Sequence, residues 1–169
     1  VAKPGQAYVE YIKVSKDYPD DRHRKDAAVS AVVIAQRMVA DLGKMPADSL
    51  RGTEIGDAEQ KLIDAVDNYL AYFPDGEEAD VFLMNAGAVY YNHGMYEEAR
   101  QYYRRLVTDF PLGLRRAAAY RYIMNSYFAE GNFVEAENVA QEIHSVGVDP
   151  ELLADARTRQ AEATFLPLL

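Results

Sequence analysis

Leu83, Ala86, Gly87 and Tyr90 fall at i, i+3, i+4 and i+7, so one helical face carries all four. Ala99, Tyr103 and Leu106 resume that spacing after a break at His93-Gly94, where glycine can take the left-handed conformation that ends a helix. Pro111 stops the second run, because it offers no N–H and disfavours helical geometry in Phe110 before it. Residues 80–111 therefore predict two apolar-striped helices joined by a tight turn. Ala86, Gly87 and Ala99 are small enough for close approach, and Tyr90 and Tyr103 fill the space beside them. A pair of this kind cannot hide both stripes alone, so neighbours must stack on it.

The pattern returns on both sides. Over 117–146, Tyr120, Ile123, Met124 and Tyr127 repeat the first stripe, and Gly131-Asn-Phe-Val-Glu-Ala136 repeats the turn Gly94-Met-Tyr-Glu-Glu-Ala99. Residues 6–19 align with 98–111, with Ala7 on Ala99, Tyr11 on Tyr103, Val14 on Leu106 and Tyr18-Pro19 on Phe110-Pro111. This makes 4–19 a half repeat, opened by Pro4. Residues 21–74 read as a divergent pair. Its first helix, 22–40, is capped by Asp20 or Asp21 and faces inward through Ala27, Ser30, Ala31, Val33 and Ile34. The segment 41–53, with two glycines and a proline, reads as a tolerated surface insertion. A second helix, capped near Thr53, carries Leu62, Val66, Tyr69 and Phe73. Asp75-Gly-Glu-Glu78 reads as a capping box. A terminal helix, 150–165, starts at Asp149-Pro150 and packs through Leu152, Leu153, Ala156, Ala161 and Phe165.

These spacings resemble the tetratricopeptide repeat, strongly over 80–111 and 117–143. The resemblance implies an all-α fold, a right-handed α-solenoid of antiparallel helix pairs with about eight helices in one domain, 1–169. It also implies a non-catalytic scaffold that binds a protein or peptide in a concave groove lined by the first helix of each pair. The groove residues would be Asn85, Tyr91, Asn92, Arg121, Tyr122, Asn125 and Phe128. Tyrosine offers area with few torsions, and the amides and guanidinium offer polar contacts. The (Tyr/Phe)-Pro helix ends at 18–19, 73–74 and 110–111 are similar in style to bacterial envelope repeat proteins. That similarity implies a periplasmic or envelope setting rather than a cytoplasmic one, in assembly or motility machinery. The alternative is a structural module that self-associates through open repeat ends.

Composition narrows the functions further. The 169 residues are 49% hydrophobic, enough for a real core, and carry a net charge of −9 with a pI near 4.8. Such an acidic chain is poorly suited to phosphate backbones, so no nucleic acid is expected. There is no cysteine, and no apolar run approaches the roughly 18 residues a membrane span needs. The start, Val1-Ala2-Lys3-Pro4, has no leader pattern and falls inside a repeat, so the chain is expected to be a piece of a longer protein.

Candidate chemistry is sparse. His23, His93 and His144 lack a second ligand at i+3 or i+4, so no metal is expected. No phosphate loop or nucleophile elbow occurs around any of the five serines, so neither cofactor nor catalytic residue is expected. Charge is unevenly placed. No Lys or Arg lies between Lys61 and Arg100, where eight acids fall, and then Arg104, Arg105, Arg115 and Arg116 form a basic edge. Solvated helix faces are the expected reading of it, with pairs such as Glu97–Arg100. A second, charged interaction edge is the functional one.

Overall fold

The computed structural model describes residues 3–18, 21–43, 47–147 and 150–165. Every regular element among them is helical: α1 (Pro4–Asp17), α2 (Asp21–Asp41), the single turn α3 (Ala47–Leu50), α4 (Asp57–Tyr72), α5 (Ala79–Asn92), α6 (Tyr96–Asp109), α7 (Arg116–Ala129), α8 (Phe133–Ser145) and α9 (Pro150–Phe165). Eight of them are long helices, the all-helical architecture the repeats predict. They fall into two compact units, Val1–Met95 and Tyr96–Leu169.

In the first unit, α2 lies between α1 and α4, and α4 packs on α5. A helix gripped from two sides needs two adjacent rows of small residues, and α2 supplies Ala27, Ala28, Ala31, Val32 and Ala35, all buried. The expected face was displaced: Ser30 and Ile34 are half-buried and Val33 is 52% exposed. Asp20, one of the expected caps, lies outside the described residues. α1 turns Tyr8 and Ser15 inward. The Tyr8 hydroxyl donates to the Lys61 carbonyl at 3.1 Å, and Asn68 Nδ2 donates to Ser15 Oγ at 2.8 Å, tying α1 to α4. Of the aligned trio, Ala7 and Val14 are only half-buried and Tyr11 is exposed.

α4 buries Leu62, Val66 and Tyr69 as expected. Its cap is Gly56 rather than Thr53; the Gly56 N–H is taken by the Glu59 carboxylate at 3.0 Å, while the Thr53 hydroxyl donates to the Leu50 carbonyl. The expected capping box at 75–78 does not form. Glu78 is the N-cap of α5 without a capping bond, because its carboxylate accepts from the Tyr69 hydroxyl at 2.7 Å and meets Lys25 Nζ at 3.2 Å. Glycine is required at 76, where a Cβ would lie 1.9 Å from the Tyr69 hydroxyl oxygen. Burial alone would raise the Glu78 pKa, but the bonds from Tyr69 and Lys25 outweigh it and hold the carboxyl below its ordinary value.

The two repeat turns are alike. Gly94 and Gly131 take φ of +77° and +69°, and Met95 and Asn132 donate back to the Tyr90 and Tyr127 carbonyls at 3.0 and 2.9 Å.

In the second unit α6 packs on α7, α7 on α8 and α8 on α9. The core holds Ala99, Tyr103, Leu106, Tyr120, Ile123, Met124, Ala136, Val139 and Ile143. Each large apolar side chain buried here contributes about 1.5–3 kcal/mol. α9 differs from expectation: Leu152, Ala156 and Ala163 are buried, whereas Ala161 is exposed and Phe165 is 64% exposed. With α8 as its packing partner, one narrow row suffices. Asp149 and the apolar end 166–169 lie outside the described residues.

Candidate partner-binding site

The expected groove residues lie on two different stripes of the first helices. On α7, Arg121, Asn125 and Phe128 fall at i, i+4 and i+7, one face of the helix. Arg121 is exposed, and Asn125 is half-buried with Oδ1 buried and unbonded within the protein. Phe128 packs edge-on to Phe133 at 5.9 Å, with the Arg159 guanidinium 5.2 Å from its ring centre. Tyr91 occupies the position on α5 that Phe128 holds on α7, and is half-buried.

Asn85 and Asn92 are on the other stripe of α5. With Gln36, Val39 and Glu59 they line an open recess of 290 Å³ between α2, α4 and α5. Tyr122, the α7 counterpart of Asn85, is stacked on Tyr103, with ring centres 5.2 Å apart and planes at 15°. The seven residues thus make an α7 stripe ending in Phe128, an α5 recess bearing amides, and a tyrosine partly used in packing.

The basic edge is largely neutralised from within. Arg104 bonds Glu142, Arg105 pairs with Asp109 at 3.3 Å, and Arg116 donates to the Pro111 carbonyl at 2.9 Å while lying over the Tyr120 ring. Arg115 is the N-cap residue of α7. The exposed guanidinium of the α7 stripe is Arg121.

Two clusters were not legible as such. Arg100, read as half of a surface pair, is buried. Its guanidinium donates to Ser126 Oγ at 3.0 Å, to Glu130 at 2.6 and 3.3 Å and to Glu97 at 2.9 Å, and sits 4.2 Å above the Tyr127 ring. Burial disfavours its charge, and the Glu130 and Glu97 carboxylates more than restore it. The only signal was Glu130 beside a repeat turn.

His93 is the second. It is buried at the end of α5, with Nδ1 3.0 Å from both Oγ1 and the carbonyl of Thr53 and Nε2 3.1 Å from both Glu59 oxygens. Thr53, His93 and Glu59 beside a 590 Å³ cleft suggest a nucleophile, a base and an acid. The hydrogen bonding opposes it. Thr53 gives its proton to the Leu50 carbonyl, and Nδ1 faces a carbonyl to which it must donate, so the ring cannot draw a proton from the hydroxyl. The cluster instead anchors the 41–53 insertion, whose Gly52 N–H also bonds the His93 carbonyl at 3.0 Å. Among the described residues no three His, Cys, Asp or Glu side chains converge on a metal position, and no helix is long and apolar enough to cross a membrane.

No curated protein matches the chain. Residues 82–112, spanning α5, its turn, α6 and the proline stop, match the family model of the tetratricopeptide repeat. Repeats of this family serve protein–protein interaction, and an interaction module is the general role the match supports. The chain therefore carries a tetratricopeptide repeat at residues 82–112, and the twin glycine turn at Gly131 repeats its geometry one helix pair further on.

Proposed function

We propose that the chain is a non-catalytic adaptor that captures an extended segment of a partner protein on the Arg121–Asn125–Phe128 stripe of α7. The observation that carries this reading is the exposed Arg121 guanidinium in line with the half-buried Asn125 and Phe128 on one face of α7. A carboxylate of the partner suits the Arg121 fork of donors. Phe128 adds apolar area at the end of the stripe. Tyr91 and the Asn85–Asn92 recess are the corresponding surfaces on α5. The tyrosine- and phenylalanine-proline helix ends are the support for an envelope setting.

Selection from a random-peptide display library against the intact chain tests this. Recovered peptides should carry an acidic residue beside an apolar one. Their affinity should fall with Arg121→Glu and Asn125→Leu and stay unchanged with Arg157→Glu, an exposed control on α9. Peptides that bind the two groove variants as well as the parent would remove the site from α7.

A further inference from the structure

Residues 6–36 align with 98–128 at a constant offset, and the second helix of each segment buries the same row. Ala27, Ala28, Ala31 and Val32 on α2 match Ala119, Tyr120, Ile123 and Met124 on α7, all buried. Tyr11 therefore corresponds to Tyr103, and Ser30 to Tyr122. In the second unit the Tyr122 ring stacks on Tyr103, which is fully buried. In the first unit Ser30 has no ring to offer, and Tyr11 stays 40% exposed. Where the Tyr122 ring would lie there is instead a pocket of 410 Å³ lined by Tyr11, Val14, Tyr18, His23, Asp26 and Ser30.

The same alignment identifies a second difference. Asp26 stands where α7 has Ala118, so the pocket has gained a carboxylate along with its space. The cations next to it in sequence are engaged elsewhere: Arg24 donates to the Tyr18 carbonyl and lies over the Tyr72 ring, and Lys25 pairs with Glu78. Tyr18 and His23 form the far wall, with ring centres 5.5 Å apart.

We propose that the α1–α2 pocket accepts an aromatic side chain of a partner protein that carries a positive charge next to the ring. The ring stacks on Tyr11 as Tyr122 stacks on Tyr103, and the cation meets Asp26. This surface is independent of the α7 stripe, and either can stand without the other.

Tyramine, p-cresol and 4-hydroxyphenylacetate are the probes, each titrated into the ¹⁵N-labelled chain and followed by amide shifts. Tyramine should give saturable shifts confined to α1 and α2 and bind about two- to fivefold tighter than p-cresol, the range of an exposed charge pair. The acid should bind weakest. Ser30→Tyr should fill the pocket, leave the melting temperature equal or higher, and abolish tyramine binding. Asp26→Asn, a change at an exposed side chain, should retain p-cresol binding and erase the tyramine advantage. Equal binding of all three probes by the parent, or undiminished binding by folded Ser30→Tyr, would overturn the proposal. So would shifts that fade as protein concentration rises, because a second copy would then be the occupant.

Discussion

Arg100 Nη1 and Glu130 Oε2 stand 2.6 Å apart, joining α6 to the end of α7 across a buried guanidinium. Because Arg100 cannot shed its charge, removing its partner leaves a buried cation held by Glu97, Ser126 and the Tyr127 ring alone. Glu130→Ala should therefore cost about 1.5–3 kcal/mol, the worth of hydrogen bonds to a charged group. Glu97→Ala should cost less, since Glu97 is 74% exposed. Urea midpoints for the two variants check the order.

The small residue at the start of α6 should be intolerant of bulk. Ala99 is fully buried, so Ala99→Phe should destabilise by about 1–3 kcal/mol through overpacking. An unchanged denaturation midpoint would mean the register of this helix pair is wrong.

The helices, the glycine turns and most of the core were legible in the sequence, because stripes at i, i+3, i+4 and i+7 force one face inward whatever covers it. Legibility failed where a residue's environment depends on a distant segment. Val33 continues an apolar run, yet it is turned away because α1 and α4 grip α2 on adjacent rows. Glu78 sits where a capping acid belongs, but Tyr69 and Lys25 claim its carboxylate. The interaction role was readable from the repeat. The distribution of the candidate groove residues over two stripes was not, because adjacent positions such as Tyr91 and Asn92 look equivalent until the helix is turned.

Acid should weaken the Glu78 lock. A carboxyl held below its ordinary value contributes stability that is present above the unfolded value of about 4.5 and is lost as pH falls through the folded value. Glu78→Gln should thus be less stable than the parent at pH 7, and the gap should close on acidification below that range. Urea unfolding of both proteins between pH 7 and pH 3 reads it directly.

Alkali should act through Tyr8. Burial, then the charges of Asp64 and Asp57, push its hydroxyl from 10.0 up to about 12. A raised folded value means full stability below pH 10, lost as pH rises toward 12. Tyr8→Phe should flatten part of that alkaline fall and, at neutral pH, lose the bond to the Lys61 carbonyl at a cost of about 0.5–1.5 kcal/mol. An alkaline slope identical in the two proteins would assign the loss to other tyrosines.

The last prediction concerns the insertion that precedes α4. Its descending end is held by the His93 side chain, which reaches Thr53 through Nδ1 and Glu59 through Nε2, while Glu59 also caps α4 at Gly56. His93→Ala removes both side-chain links and leaves the backbone bond from Gly52 to the residue 93 carbonyl in place. The cost should therefore be local: opening of 50–56 becomes easier, while α8 in the other unit keeps its own packing. Hydrogen exchange separates the two. Amides of residues 52–56 should exchange about tenfold faster in the variant, the equivalent of one lost hydrogen-bonded tie, and those of Val139, Ala140 and Ile143 should not change. Uniform acceleration across both sets would show that His93 supports the whole fold, and the anchoring role assigned to it would fail.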